Sequence, residues 1–323
     1  MWKKILFAIR DPFDTDNEPL AKVADLAAAA GAELDLFHVA FSPVIADANL
    51  PQRAAAATIR DQVRTARAAL EALASPYRSR GTVVHTSVRW DRPAYEGIIR
   101  QVLRSKPDLL AIDAQQRGAL GRLLVRHTDF RLIELSPVPT LLMKSARNLR
   151  ESSIVAAVDP EHSHDKPAQL DSDILAQAAF FEKILDASTT VVHVRRPATD
   201  YVVGFDGQPV RVPADDKSSE LNRQRVKTKL RELADAAGLP AAHIQIESGA
   251  ADQVLSEIVN RLRVGLVIMG AVSRSALKRA FLGHTAERVL DQIDADILVV
   301  KPRQFKTSVP ATSRHLVRAA APL

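Results

Sequence analysis

Short runs rich in Val, Ile and Leu recur along the chain, separated by longer segments of helical period. The runs are nearly continuous in apolar character rather than alternating, which is how strands covered on both faces read. They predict strands at 4–9, 34–40, 83–88, 108–112 and 139–143, and again at 153–158, 189–194, 243–247, 265–269 and 296–300. The intervening segments are Ala-rich. In 56–74, Ile59, Val63, Ala66, Leu70 and Leu73 step by four and three and so form one apolar stripe of a helix. Strands alternating with helices imply right-handed β-α-β units on a parallel sheet.

The two sets of strands belong to a repeat. PDLLAI (107–112) aligns with VGLVIM (264–269), and LVRHTDFRLIELSPVPTLLMK (124–144) with FLGHTAERVLDQIDADILVVK (281–301). The His-Thr pairs at 127–128 and 284–285 and the lysines Lys144 and Lys301 share one offset without a gap. KILFAIRD against SIVAAVDP, and DLFHVAF against TVVHVRR, extend the match upstream. The expected architecture is α/β: two tandem doubly wound domains of five parallel strands, at 1–148 and 149–303, followed by a flexible basic tail at 304–323.

In doubly wound sheets, ligands bind outside the carboxyl ends of the strands, where the strand order reverses. In the second copy those ends carry Asp159, Val194, Gly249 and Gly270; in the first they carry Arg10, Val39, Trp90 and Asp113. Gly270 has no Cβ, so a ligand can approach the backbone there. Ser273 adds a hydroxyl. Gly283, His284 and Thr285 open a helix whose first N–H groups attract anions. Asp159 accepts hydrogen bonds from a ribose or a base edge. Ala157 and Val194, at neighbouring strand ends, complete a candidate nucleotide cradle. Spacing alone leaves open the plain alternative, that the glycines serve turns and caps.

The spacing Gly270-x2-Ser273-x9-Gly283-His284-Thr285 resembles the universal stress protein signature G-x2-G-x9-G-(S/T), and SIVAAVDP resembles that family's first strand with its binding Asp. The blocks VRWDRPAYEGIIRQVL and GAVSRSALKRAFLGHTAERVLDQIDADILVVKP, followed by QFKTSVP, are similar to its tandem, E-type members. The resemblance implies an adenine nucleotide alpha hydrolase-like fold, a stress-response role, ATP with Mg²⁺ as ligand, and an internal pseudo-dimer in which PTLLMK and DILVVK meet edge to edge. Two departures stand in the second copy: Ser273 replaces the second glycine, and His284 precedes the hydroxyl residue. The first copy departs further. Arg10 replaces the Asp, Asp113 and Gln116 the two leading glycines, and Arg126 the third. An Asp at a phosphate position repels polyphosphate, so the first copy is expected to be silent toward ATP.

Composition narrows this further. Of 323 residues, 46% are hydrophobic and 25% charged, with no Cys, which excludes disulfides and thiolate chemistry. The net charge of +6 is interspersed in sign along helical segments, as on a solvated face, rather than gathered for nucleic acid. No apolar run spans a bilayer, and ILFAI is too short for a signal h-region; a cytoplasmic address is expected. His162, His164 and Asp165 crowd one loop without the second ligand pair of a structural Zn site. His38 and His193 are expected as buried, hydrogen-bonded histidines. Trp90 and its flanking arginines are read either as a ligand platform or as a lid, and 195–216 as a long loop that could cover a ligand. No nucleophile and base pair off at the strand ends, so the expected function is non-catalytic binding of a small ligand, ATP in the second domain, with at most weak hydrolysis. The alternative is a scaffold or amphiphile binder, with protein partners or a homodimer.

Overall fold

The computed structural model describes residues 2–15, 17–41, 52–114, 121–145, 147, 149, 153–161, 169–195, 199–203, 208–213, 216–270 and 284–313. The chain separates into two compact units, Met1–Ala146 with Arg303–Leu323, and Arg147–Pro302.

Unit 1 runs β1 (Lys4–Ala8), α1 (Glu18–Ala30), β2 (Glu33–Ala40), α2 (Gln52–Ser79), β3 (Val84–Trp90), α3 (Ala94–Ser105), β4 (Leu109–Asp113), α4 (Gly121–Leu135) and β5 (Thr140–Met143). All four strand pairings are parallel, in the order β3-β2-β1-β4-β5. Unit 2 runs β6 (Ser153–Ala157), α5 (Gln169–Leu185), β7 (Thr189–Arg195), β8 (Thr199–Val203), β9 (Pro209–Pro213), α6 (Asp216–Ala236), β10 (His243–Ser248), α7 (Ala251–Arg261), β11 (Val264–Gly270), α8 (His284–Gln292) and β12 (Asp296–Val300). Its parallel order is β10-β7-β6-β11-β12, the same topology. In each unit the chain winds outward twice from the first strand, so the order reverses beside it: between β1 and β4, and between β6 and β11.

Burial follows from this order. Ile5, Leu6 and Phe7 of β1, and Val155 and Ala156 of β6, are fully enclosed, as are Leu109, Leu110 and Ala111 of β4 and Val267 and Ile268 of β11. The outer strands β3 and β10 are covered less evenly, and β10 alternates, with Ile244 and Ile246 buried between more exposed neighbours. On α2 the apolar stripe turns inward at Ala66, Leu70 and Ala74.

Local chemistry sets the ends of α1. The Asn17 side chain accepts a hydrogen bond from the Leu20 N–H at 2.8 Å, and Pro19 stands in the first turn. Gly31 closes the helix at φ 64°, in the left-handed region. Within unit 2, Arg147 anchors the start of the unit by donating to the Val264 carbonyl at 2.9 Å and pairing with Asp294 at 3.3 Å.

The ten sheet strands fall where the apolar runs place them. The segment 195–216 does not remain a loop: β8 and β9 pair antiparallel, Tyr201 opposite Arg211. The reason is in the residues, since TDYVV and PVRVP are rich in β-formers and flank an Asp-Gly dipeptide. The tail differs as well. Residues 303–313 belong to unit 1, with Val309 buried and the Pro310 carbonyl bonded to Arg100.

Leu70 is fully buried at the centre of the α2 stripe. Leu70→Ala is expected to cost about 2–5 kcal/mol, read as a lower midpoint in urea unfolding of the full chain. A cost below about 1 kcal/mol would show that the stripe does not anchor α2.

Candidate functional site

In unit 2, β6 ends at Ala157, which pairs with Met269 of β11 on one side and Val192 of β7 on the other. Val158 extends the strand by donating its N–H to the Val192 carbonyl at 2.9 Å. Asp159 therefore stands two residues beyond β6, beside Gly270 at the end of β11, where the strand order reverses. Ala157, Asp159 and Gly270 come together there. Val194 lies one strand over, opposite Glu247. The main chain of α8 begins at His284. Ser273 and Gly283, like His162, His164 and Asp165, lie outside the described residues, as do the side chains of His284 and Thr285.

The loop carrying Asp159 is held from three sides. Asp171, on the first turn of α5 and 1% exposed, accepts from the Asp159 N–H at 3.0 Å. Lys229 of α6 donates to the Pro160 carbonyl at 2.7 Å. Glu161 accepts from Asn222 of α6 at 3.1 Å and faces Nε2 of His193 at 3.2 Å. His193 is buried, and its Nδ1 donates to the Val158 carbonyl at 3.0 Å. Asp171, Lys229 and Glu161 escaped the sequence reading. The acidic residue in the first turn of α5 was the available signal for Asp171; the other two are joined only by the fold.

Gly270 has a more specific reason to be glycine than the sequence supplies. A Cβ built there would lie 2.7 Å from Leu170 Cδ2 and 3.4 Å from Ile174 Cδ1. Helix α5 thus packs into the space where a side chain would be, a contact too close for any other residue without displacement.

Unit 1 presents different chemistry at the matched position. Arg10 follows β1 as Asp159 follows β6. Its guanidinium donates to the main-chain carbonyl of Asp113 at 2.7 Å and reaches Asp129 of α4 at 3.5 Å. Burial pushes the Asp129 carboxyl up to about 7; Arg10 opposes the shift and Asp113 adds to it. His38 repeats the histidine contact, with Nδ1 donating to the Ile9 carbonyl at 3.0 Å, and burial holds its pKa below the usual imidazole value. Trp90 packs tilted against Phe41 at 5.8 Å, and Arg92 stacks over the same ring at 5.4 Å.

The universal stress protein family model matches residues 1–144 and 153–301, both repeats almost entire. The chain belongs to the universal stress protein family. The resemblance carried by the repeated blocks is borne out, and so is the tandem α/β architecture. Universal stress protein E of Photorhabdus laumondii is 23% identical over 313 residues, covering 95% of this chain and 97% of that protein. Universal stress protein E of Escherichia coli K12 is 26% identical over 235 residues, covering 72% and 73%. The crystal structure of a functionally unknown protein from Pseudomonas aeruginosa PAO1 shares the fold, with a TM-score of 0.69 at 22% identity, over 94% of this chain and 93% of that one. Among the described residues of this universal stress protein, no helix is long and apolar enough to cross a membrane.

Two measurements test these contacts. Gly270→Val is expected to destabilise the chain by about 1–3 kcal/mol through overpacking, and to cost less than half as much in a Leu170→Ala background. Additive costs in the double-mutant cycle would remove Leu170 as the cause. The second concerns Asp129. Between the ordinary carboxyl range near 4 and about 7, the folded state holds a proton that the unfolded chain has released, so this group's contribution to stability falls as pH rises across that window. Asp129→Asn does not titrate, and should be more stable than the wild type at pH 8, by about 1–3 kcal/mol, with the gain shrinking toward pH 5. Parallel urea curves for the two proteins at both pH values would refute the shift.

Proposed function

We propose that this universal stress protein binds an adenine nucleotide at the switch point of unit 2, without a catalytic cycle beyond slow hydrolysis, and that unit 1 does not bind it. The observation that carries the reading is the contrast between matched positions. Unit 1 places the Arg10 guanidinium against the Asp113 carbonyl and Asp129, and so fills its crevice with its own charge pair. Unit 2 has Asp159 there, its loop braced by Asp171, Lys229 and Glu161, and a glycine in place of Asp113. A carboxylate suits ribose hydroxyls or a base amine. Gly283, His284 and Thr285 lead into the α8 N-terminus, where backbone N–H groups and the helix dipole favour phosphate, with Mg²⁺ sharing the charge.

A second reading draws on Gly270. Because its missing side chain accommodates Leu170, the glycine does not by itself argue for phosphate. That observation favours a unit 2 crevice that holds a non-nucleotide ligand, or a scaffold whose partners bind elsewhere.

Thermal-shift titration of the full chain with ATP and Mg²⁺ separates the two. At a hundredfold excess over Kd, bound nucleotide should raise Tm by roughly 5–10 °C, with one nucleotide per chain by calorimetry. Ser273→Gly restores the family spacing and should tighten binding. Asp159→Arg transplants the unit 1 side chain and should abolish it while leaving the ligand-free Tm nearly unchanged. No response of any variant to any nucleotide would discard the nucleotide reading in favour of the second.

A further inference from the structure

Beyond β5, unit 1 includes a stretch from the far end of the sequence. Residues 303–313 lie on the corner between the end of β3 and α3. The centre of that corner is Arg100, 2% exposed, on α3. Its guanidinium donates to Asp91 at 2.7 Å and to Glu96, and its Nε donates to the Pro310 carbonyl at 3.2 Å. Asp91 is also buried. One of its oxygens takes Arg100, while the other accepts from the Arg92 N–H at 2.8 Å and from the Ser313 hydroxyl at 2.9 Å. Gly97 lets α3 come this close, since a Cβ there would lie 2.9 Å from Asp91 Cβ.

Most of the segment lies at the surface. Among its described residues Val309 is the buried one, and Arg303, Gln304, Lys306, Ser308, Pro310, Ala311 and Thr312 are exposed. Its own shape is stiffened locally by Thr307, whose hydroxyl accepts from the Val309 N–H at 3.2 Å. Underneath, Asp91 and Glu96 keep Arg100 paired whether or not the segment is present. The corner is thus a preformed receptor: an apolar seat for one small side chain, a guanidinium N–H for a peptide carbonyl, and a carboxylate oxygen for a hydroxyl four residues beyond the seat.

We infer that the β3–α3 corner is a peptide-binding site, occupied in cis by residues 303–313 as a detachable strap. A mostly exposed segment over an ion pair that persists without it opens without unfolding what lies below, as the least stable segments of a fold do. A hydrogen bond from a neutral hydroxyl to a buried carboxylate is among the stronger single contacts available to such a strap, so Ser313 is its main polar anchor.

Native-state trypsin digestion of the full chain tests this, because Arg303 and Lys306 are exposed but lie in the docked segment. The strap should be cut before any site in β3 or α3. Ser313→Ala and Val309→Ser should each speed that cut about tenfold, the loss of one contact, with the circular dichroism of the chain unchanged. A labelled peptide spanning 303–313 should then bind the clipped protein saturably by anisotropy, and its Ser313→Ala version more weakly. A strap that resists trypsin until the whole chain unfolds, cutting rates that ignore both substitutions, or a clipped protein that does not take the peptide would each overturn the inference. A dimer in sedimentation that Val309→Ser dissolves would make a second copy's segment the occupant, and would overturn the assignment in cis.

Discussion

One contact recurs in both units and fixes everything at their switch points. A histidine on the second strand, His38 or His193, donates its Nδ1 proton to the carbonyl one residue beyond the central strand, Ile9 or Val158, at 3.0 Å in each case. That carbonyl has left the regular ladder and needs a partner, and a buried imidazole supplies it without a water. With the strand end held, the residue that follows must project at the point where the strand order reverses. Whatever stands at position 10 or 159 is therefore presented to the crevice by the framework, and the framework does not depend on which residue it is.

This separates the geometry that the two repeats share from the chemistry in which they differ. Arg10 finds a main-chain carbonyl and Asp129, a carboxyl so enclosed that it holds its proton nearly to neutrality. Asp159 is placed through its backbone, by Asp171, while Glu161 and Lys229 tie down the next two residues of the loop. The first arrangement satisfies itself. The second spends its hydrogen bonds on positioning the loop, which is what a binding site requires of its supporting residues.

The strands were legible in the sequence because strands buried on both faces write themselves as unbroken apolar runs, and because the repeat doubled each signal. The switch-point residues Arg10, Asp113, Asp159 and Gly270 were legible for the same reason: they end those runs. The role of Gly270 was not, since Leu170 and Ile174 reach it from α5, about a hundred residues earlier in the chain, and no local pattern marks that approach. The β8–β9 hairpin was hidden by its prolines and glycines, which read as loop although β-formers flank an Asp-Gly dipeptide. The strap was hidden most completely. Basic, proline-bearing and without a hydrophobic period, 303–313 has the composition of a tail, and its contacts with Asp91 and Arg100 reach partners some two hundred residues away.

The divergence of the two crevices is coupled rather than a set of independent changes. Asp113 occupies the position that Gly270 holds in unit 2, each pairing with the same residue of its last strand, Met143 or Val300. Asp113 and Asp129 bring two carboxyl groups to that end of the sheet, where burial and then Asp113 raise the Asp129 pKa and Arg10 opposes the rise. Arg10 reaches both places, donating to the Asp113 main-chain carbonyl and pairing with Asp129. Unit 1 thus fills its switch point with a side chain that its own neighbours hold in place.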